Sequence, residues 1–369
     1  MASQIDSDRG VKDYFGNSSE EAKYGGVQIQ PQSFQDDVLR IAPNVSSARA
    51  GNVKITRMFR ERRLRCHPTK TCYLPLGIEC WKKKVREEFS RSPLMFGDFQ
   101  MSEKEQDIYS GDTISSKGLS ASVEATITKR IGKIKGTMYE VASIMSDYRM
   151  QAMGIMQVAW KIWERSLIPS LLANCGSWVK ISKASLKTLN NLQSLYCRLI
   201  YSCPDSTPVP ALRGEAGLLD MEHRIMMEKI CLVTGIMNQE EENNSYVKQV
   251  LKKRLAFGWE GLTKEVIDCC QKVGLLNSCT EYIKREEVKE AVLISNMKVL
   301  KEEYKMEKLK HLQMDDLRYM QIYMANVSLE DSRLEFRYRT RMTTIKPTWA
   351  KDTVSRTVPI VQPAGRMEC

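Results

Sequence analysis

Phe34-Gln35-Asp36-Asp37, followed at once by the apolar Val38, Leu39 and Ile41, is the stretch from which the rest of the chain takes its order. On a strand, adjacent side chains face opposite sides, so neighbouring carboxylates such as Asp36 and Asp37 reach one target only where the backbone turns sharply. A hairpin tip supplies that turn, and the segment from Tyr24 to Ile41, entered at Gly25-Gly26, has the composition of a hairpin. An Asp-Asp pair is a weak signal by itself. It recurs at Asp315-Asp316 among helix-favouring residues, and a solvated turn accounts for the pair as well as a metal site does.

Three further features follow in order. A basic amphipathic segment runs from Ala48 to Arg65, then His67-Pro68-Thr69-Lys70-Thr71 leads into the apolar Cys72-Tyr73-Leu74, and Ile108-Tyr109-Ser110-Gly111-Asp112 precedes a long helical stretch. The succession Phe-x-Asp-Asp, helix, x-Pro-x-Lys-Thr, strand, Tyr-x-Gly-Asp closely resembles the last part of the reverse transcriptase of non-LTR (LINE-like) retrotransposons, motifs C, D and E of its palm. The resemblance covers Tyr24 to Thr344 and weakens after Glu240.

This resemblance implies that Asp36 and Asp37 hold magnesium, an ion that takes hard oxygen ligands. Paired ions about 3.5–4 Å apart would activate a primer 3′-hydroxyl and stabilise the leaving pyrophosphate. Lys70 would lie beside the incoming nucleotide and act on the pyrophosphate as a general acid. Its plain alternative is a surface lysine opening a strand. The implied partners are an RNA template and an RNA–DNA hybrid. The family's fingers, its motif A strand with the third metal-binding aspartate, and its motif B belong before Tyr24, and the 23 residues there are too few to hold them. The expectation is a C-terminal fragment, inactive alone. Ser110 also departs from the pattern, standing where the family usually has Leu.

Composition sets wider bounds. The 369 residues suffice for two or three domains, and 42% apolar content fits a globular chain. A formal charge of +11, from 56 basic against 45 acidic residues, leans toward polyanionic partners. No apolar run approaches the roughly 18 residues of a membrane span, and the first residues lack a signal-peptide core, so no membrane partner and an intracellular location in cytoplasm or nucleus are expected. Eleven cysteines without a Cys-x-x-Cys pair argue for reduced thiols rather than zinc or disulfides. Cys66, His67, Cys72 and Cys80 cluster, but irregularly.

The expected fold class is α+β: a partial polymerase palm, a small antiparallel sheet with a helix, followed by a mostly α-helical thumb and connector. Residues 1–23 read as a flexible leader, 24–113 as the palm, 114–240 as a helical thumb, 241–345 as a helical connector and 346–369 as a disordered tail. Within the thumb, Leu119, Val123, Ile127, Ile131, Ile134, Met138, Val141 and Met145 recur at three- and four-residue steps, a helix of about seven turns with one apolar stripe. Lys129, Arg130, Lys133 and Lys135 on the other side are candidates for nucleic-acid binding, or a solvated face. A second helix is expected from Met150 to Ser166, closed by Leu167-Ile168-Pro169. Leu186, Leu189, Leu192, Tyr196 and Leu199 form another stripe, and Ala211-Leu212-Arg213-Gly214-Glu215-Ala216-Gly217 reads as a structural turn.

Two more basic runs can be read as phosphate contacts or as solvated surface: Trp81-Lys82-Lys83-Lys84-Val85-Arg86, and Arg333, Arg337, Arg339 and Arg341. Two rivals to a polymerase fragment stand beside it. One is a non-catalytic nucleic-acid-binding protein derived from such an element; the other is a helical protein-interaction scaffold using the Glu/Lys-rich C-terminal half.

Overall fold

A computed structural model describes residues 23–24, 27–28, 32–34, 37–146, 154–239, 246–257, 261–275, 283–304 and 328–340. They are mostly helical, with five separate two-stranded pairs, an α+β composition in the broad sense. Among the described residues the strands, two to four residues long, pair only two by two, four pairs as antiparallel hairpins and one, residues 72–73 with 102–103, parallel across a helix and a hairpin, and this is where the structure departs from a single small palm sheet.

β1 (Lys23–Tyr24) pairs with β2 (Val27–Gln28), and β3 (Gln32–Phe34) with β4 (Asp37–Leu39), both antiparallel. α1 spans Val45–Glu61, three residues ahead of the expected start, because Asn44 caps it by accepting from the Ser47 N–H at 2.8 Å. Its buried side, Val45, Ile55 and Met58, packs on Val85 and Phe89 of α2 (Glu79–Arg91) and on Phe96. Between these helices lies β5 (Cys72–Tyr73); after them come the hairpin of β6 (Met95–Phe96) and β7 (Phe99–Gln100), then β8 (Ser102–Glu103), which runs parallel to β5. β9 (Gln106–Tyr109) and β10 (Asp112–Ser115) form the last hairpin.

α3, Leu119–Ser146, is the long helix the stripe predicts, and Val123 through Met145 are buried as expected. Leu119 is the exception, 61% exposed in the first turn. Thr126 takes a place in the buried stripe, its hydroxyl accepting from Thr113 N–H at 2.8 Å and tying α3 to β10.

α4 (Ile155–Ile162) continues through a π-helical turn, Trp163–Leu167, into α5 (Ile168–Leu171). Pro169 therefore does not close the helix. It is the second residue of the segment that follows the π turn, a first-turn position at which proline is tolerated. Met150, the expected start of this helix, lies outside the described residues. A short 3₁₀ turn, Cys175–Ser177, leads on to α6 (Lys183–Tyr201). Trp163 stacks on Tyr196 with centroids 4.7 Å apart, and Tyr201 stacks on Phe336 at 3.8 Å.

The Ala211–Gly217 turn is a helix, α7 (Val209–Ala216), ended by Gly217 in the left-handed region at φ 64°. α8 (Met221–Met237), α9 (Tyr246–Phe257), α10 (Leu262–Val273), α11 (Arg285–Tyr304) and α12 (Leu329–Arg339) complete the described chain. Met221 and Ile225 of α8 belong to the core of α3 to α6, whereas Met226, Ile230 and Val233 of the same helix belong to the core it shares with α10 and α11. Packing thus runs from the first helical region into the second along one helix.

Candidate nucleic-acid interface

In the β3–β4 pair Phe34 lies opposite Asp37, so residues 35 and 36 are the whole connection between the strands. Asp36 lies outside the described residues, and Asp37 is described as the first residue of β4. Among the described residues no three His, Cys, Asp or Glu side chains converge on a possible metal site. Lys70 is exposed, in a turn closed by its N–H donating to His67 O at 3.1 Å, two residues before β5. All nine described cysteines are free thiols.

The hairpin of β9 and β10 carries the Tyr109-Ser110-Gly111-Asp112 motif. Tyr109 and Asp112 are paired across it, and Ser110 and Gly111 have φ of 50° and 81°, the positive values a type I′ turn requires at both central positions. At Ser110 a short polar side chain tolerates this conformation better than a bulky one.

The tip is held from two sides. The Arg130 guanidinium, on α3, donates to Asp112 Oδ1 at 2.8 Å, Gly111 O at 3.0 Å and Ala173 O at 2.6 Å, and lies over the Trp178 ring at 5.6 Å. Asn174, itself left-handed at φ 58°, donates to Asp112 Oδ2 at 3.0 Å and to Ser110 O at 3.3 Å. Three segments distant in sequence are joined in one network whose charges are paired and hydrogen-bonded.

This geometry separates the four cations expected on the thumb. Arg130 turns inward and is engaged in the clamp. Lys129, Lys133 and Lys135 are exposed and have no ion-pair partner among the described residues. At about 100° per residue, Lys129 and Lys133 share a face opposite the buried stripe, while Lys135 is about 160° away from Lys133, on the far flank. The exposed face therefore consists of Lys129 and Lys133.

Two other basic runs are held by the fold in part, Lys83 and Lys84 of the first remaining exposed. Lys82 is buried, its ammonium donating to Ser116 O at 3.2 Å and pairing with Glu79 at 2.7 Å; Arg86 bridges Glu79 and Glu103. Arg333 donates to Ile200 O at 2.9 Å, Arg337 to Ser202 O at 2.8 Å, and Arg339 chelates the fully buried Glu215 at 3.0–3.2 Å. These arginines staple α12 onto the end of α6 and onto α7. Arg341 lies outside the described residues.

A buried polar chain went unread in the sequence. Asp220 caps α8 by accepting from His223 N–H at 2.8 Å, meets His223 Nδ1 at 2.9 Å and pairs with Arg213 at 3.3 Å, while His223 Nε2 lies 3.2 Å from Ser295 Oγ. Burial pushes the Asp220 carboxyl up, but the bonds from His223 and the Arg213 charge outweigh it and hold the group below its ordinary range. Its one sequence signal was an Asp immediately before a helical run. Ser295 sits in the middle of α11, whose backbone N–H groups are bonded within the helix, so the chain of groups joins α7, α8 and α11 without offering donors for an oxyanion.

No family model, no curated protein and no solved structure matches this chain.

Proposed function

We propose that this chain is a portion of a reverse transcriptase of the non-LTR retrotransposon type, one that holds an RNA–DNA hybrid through its long helix and does not polymerise by itself. The observation that carries this is the union of the Tyr109–Asp112 hairpin with α3: a tip fixed by Arg130 against the middle of a helix whose outer side presents Lys129 and Lys133. A polymerase needs that pairing after its catalytic strands, a firm support for the primer end and a basic face along the duplex phosphates. The order of the sequence motifs around it, and the antiparallel pair flanking Gln35-Asp36, support the same assignment.

Asp36 and Asp37 are the residues proposed for magnesium, which when bound would supply charge stabilisation and activate the primer hydroxyl. Lys70 is proposed to neutralise the leaving pyrophosphate. In the family's order the third carboxylate belongs on the motif A strand ahead of motif C, and the 23 residues before Tyr24 are too few to carry that strand with the fingers. We therefore expect the 369-residue chain to bind an RNA–DNA hybrid yet to show no magnesium-dependent primer extension above background. Templated extension would overturn the second half of the proposal, and absence of hybrid binding the first.

A further inference from the structure

One basic group has neither an internal partner nor a structural task that arginine performs best. Arg62, Arg63 and Arg65 follow the end of α1, are exposed, and their side chains have no hydrogen-bond or ion-pair partner among the described residues. The nearby carboxylates are engaged elsewhere: Glu61 with Arg57 at 2.9 Å and Asp98 with Arg60 at 3.2 Å. Arg63 is also strained. Leu64 N–H donates to Phe59 O at 2.8 Å and Arg63 N–H to Arg60 O at 3.1 Å, the two bonds of a Schellman end, which puts Arg63 at the left-handed position with φ 55°. Glycine is the residue that position favours, and an L side chain there is disfavoured. Cations near a helix C-terminus do gain from its dipole, but Arg60 already supplies one in the last turn.

We infer that Arg62, Arg63 and Arg65 form a second phosphate-contacting surface, one that grips the backbone of a nucleic-acid duplex. That the polyanion is nucleic acid rests on the function proposed above; that the surface is built to meet an anion does not. Guanidinium groups suit phosphate because their fork of donors engages two oxygens at once. A membrane fits poorly, since the apolar side of α1 that would have to insert is buried against Val85 and Phe89. A single strand fits less well than a duplex. Binding of single strands draws on exposed aromatic platforms, and the aromatic residues beside this helix end, Phe59 and Tyr73, pack on the core with Phe96 and Phe89.

The experiment measures equilibrium binding of the full chain to a fluorescent 20-base-pair RNA–DNA hybrid across a salt series. Two variants are compared with the parent, R62Q/R63Q/R65Q and the single Arg63→Gly. Each lost phosphate contact should lower the steepness of log K against log salt by about 0.9. The triple variant should lose about 2 to 3 in slope. Arg63→Gly should lose about 1 while its melting temperature rises, since glycine relieves the left-handed strain, and that rise excludes misfolding as the cause of weaker binding. A slope unchanged in both variants, with the parent still binding, overturns this surface alone. Failure of the parent to bind any duplex overturns it together with the proposed function. If the triple variant weakens polyglutamate binding but not hybrid binding, the surface takes acidic protein and the duplex assignment is wrong.

Discussion

Arg130 shows how one side chain can be read rightly for charge and wrongly for direction. It lies about 100° round α3 from Lys129, enough to aim it at the hairpin tip and not at solvent. Arg130→Lys keeps the charge but cannot serve Asp112, Gly111 and Ala173 together, so we expect a loss of about 2 kcal/mol, read as a lower urea midpoint at unchanged m. An unaltered midpoint would show the clamp to be dispensable. Asp220 offers a test with a pH signature. Its carboxyl is held below its unfolded value, so its stabilisation is fully present above a pH of about 4 and fades as pH falls through the lowered folded value. Asp220→Asn keeps a capping oxygen and removes the charge; we expect it to cost about 3 kcal/mol at pH 7, and the gap to the parent to close as the pH falls below about 4. A gap constant with pH would mean the charge is not what matters. Thiol labelling probes the same fold from another side. Burial, then the bond to Asp107, raises Cys72 to about 11, so at pH 8 only about a thousandth of it is thiolate, and it should alkylate far more slowly than the exposed Cys80. Equal rates at the two sites would contradict the burial of Cys72.

At the level of elements, the long helix was legible because seven buried positions, Val123 to Met145, repeat at helical spacing over about six turns, a signal tertiary context rarely reverses. The hairpin at Ser110-Gly111 had a weaker signal, a single glycine inside the Tyr109–Asp112 motif. What the sequence could not disclose was where each cation goes. Arg333 and Arg337 end on carbonyls of Ile200 and Ser202, more than a hundred residues away, and nothing local marks those oxygens as acceptors. Continuation of the helix through Pro169 was hidden too, because the proline is a stop signal unless a π turn precedes it. The geometry of α3 makes a prediction of its own. Lys129→Gln with Lys133→Gln should lower the salt slope for hybrid binding by about 2, whereas Lys135→Gln, on the opposite flank, should leave it within about 0.3. Helix content should hardly change, since Gln and Lys have similar propensity. If Lys135 proves as important as the other two, the duplex does not lie where the helix places it.

In the molecule as a whole, α8 belongs to two cores. Trp160, Trp163 and Trp178 report on the first, and Val292, fully buried on α11, lies in the second. Val292→Ala should therefore lower the midpoint of the tryptophan-fluorescence transition as well as that of ellipticity, the size of the loss being about 1 to 3 kcal/mol for a buried methyl pair. Independent transitions would show the two cores to be thermodynamically separate. On the function proposed above, α3 acts as a duplex-binding helix braced along its side by a clamped hairpin. The measurement that meets it most directly is the salt dependence of RNA–DNA hybrid binding by the parent chain and by the Lys129→Gln, Lys133→Gln variant side by side. The predicted result is a parent slope of at least about −2 that the variant reduces by about 2; the same affinity and the same slope in both proteins would contradict it.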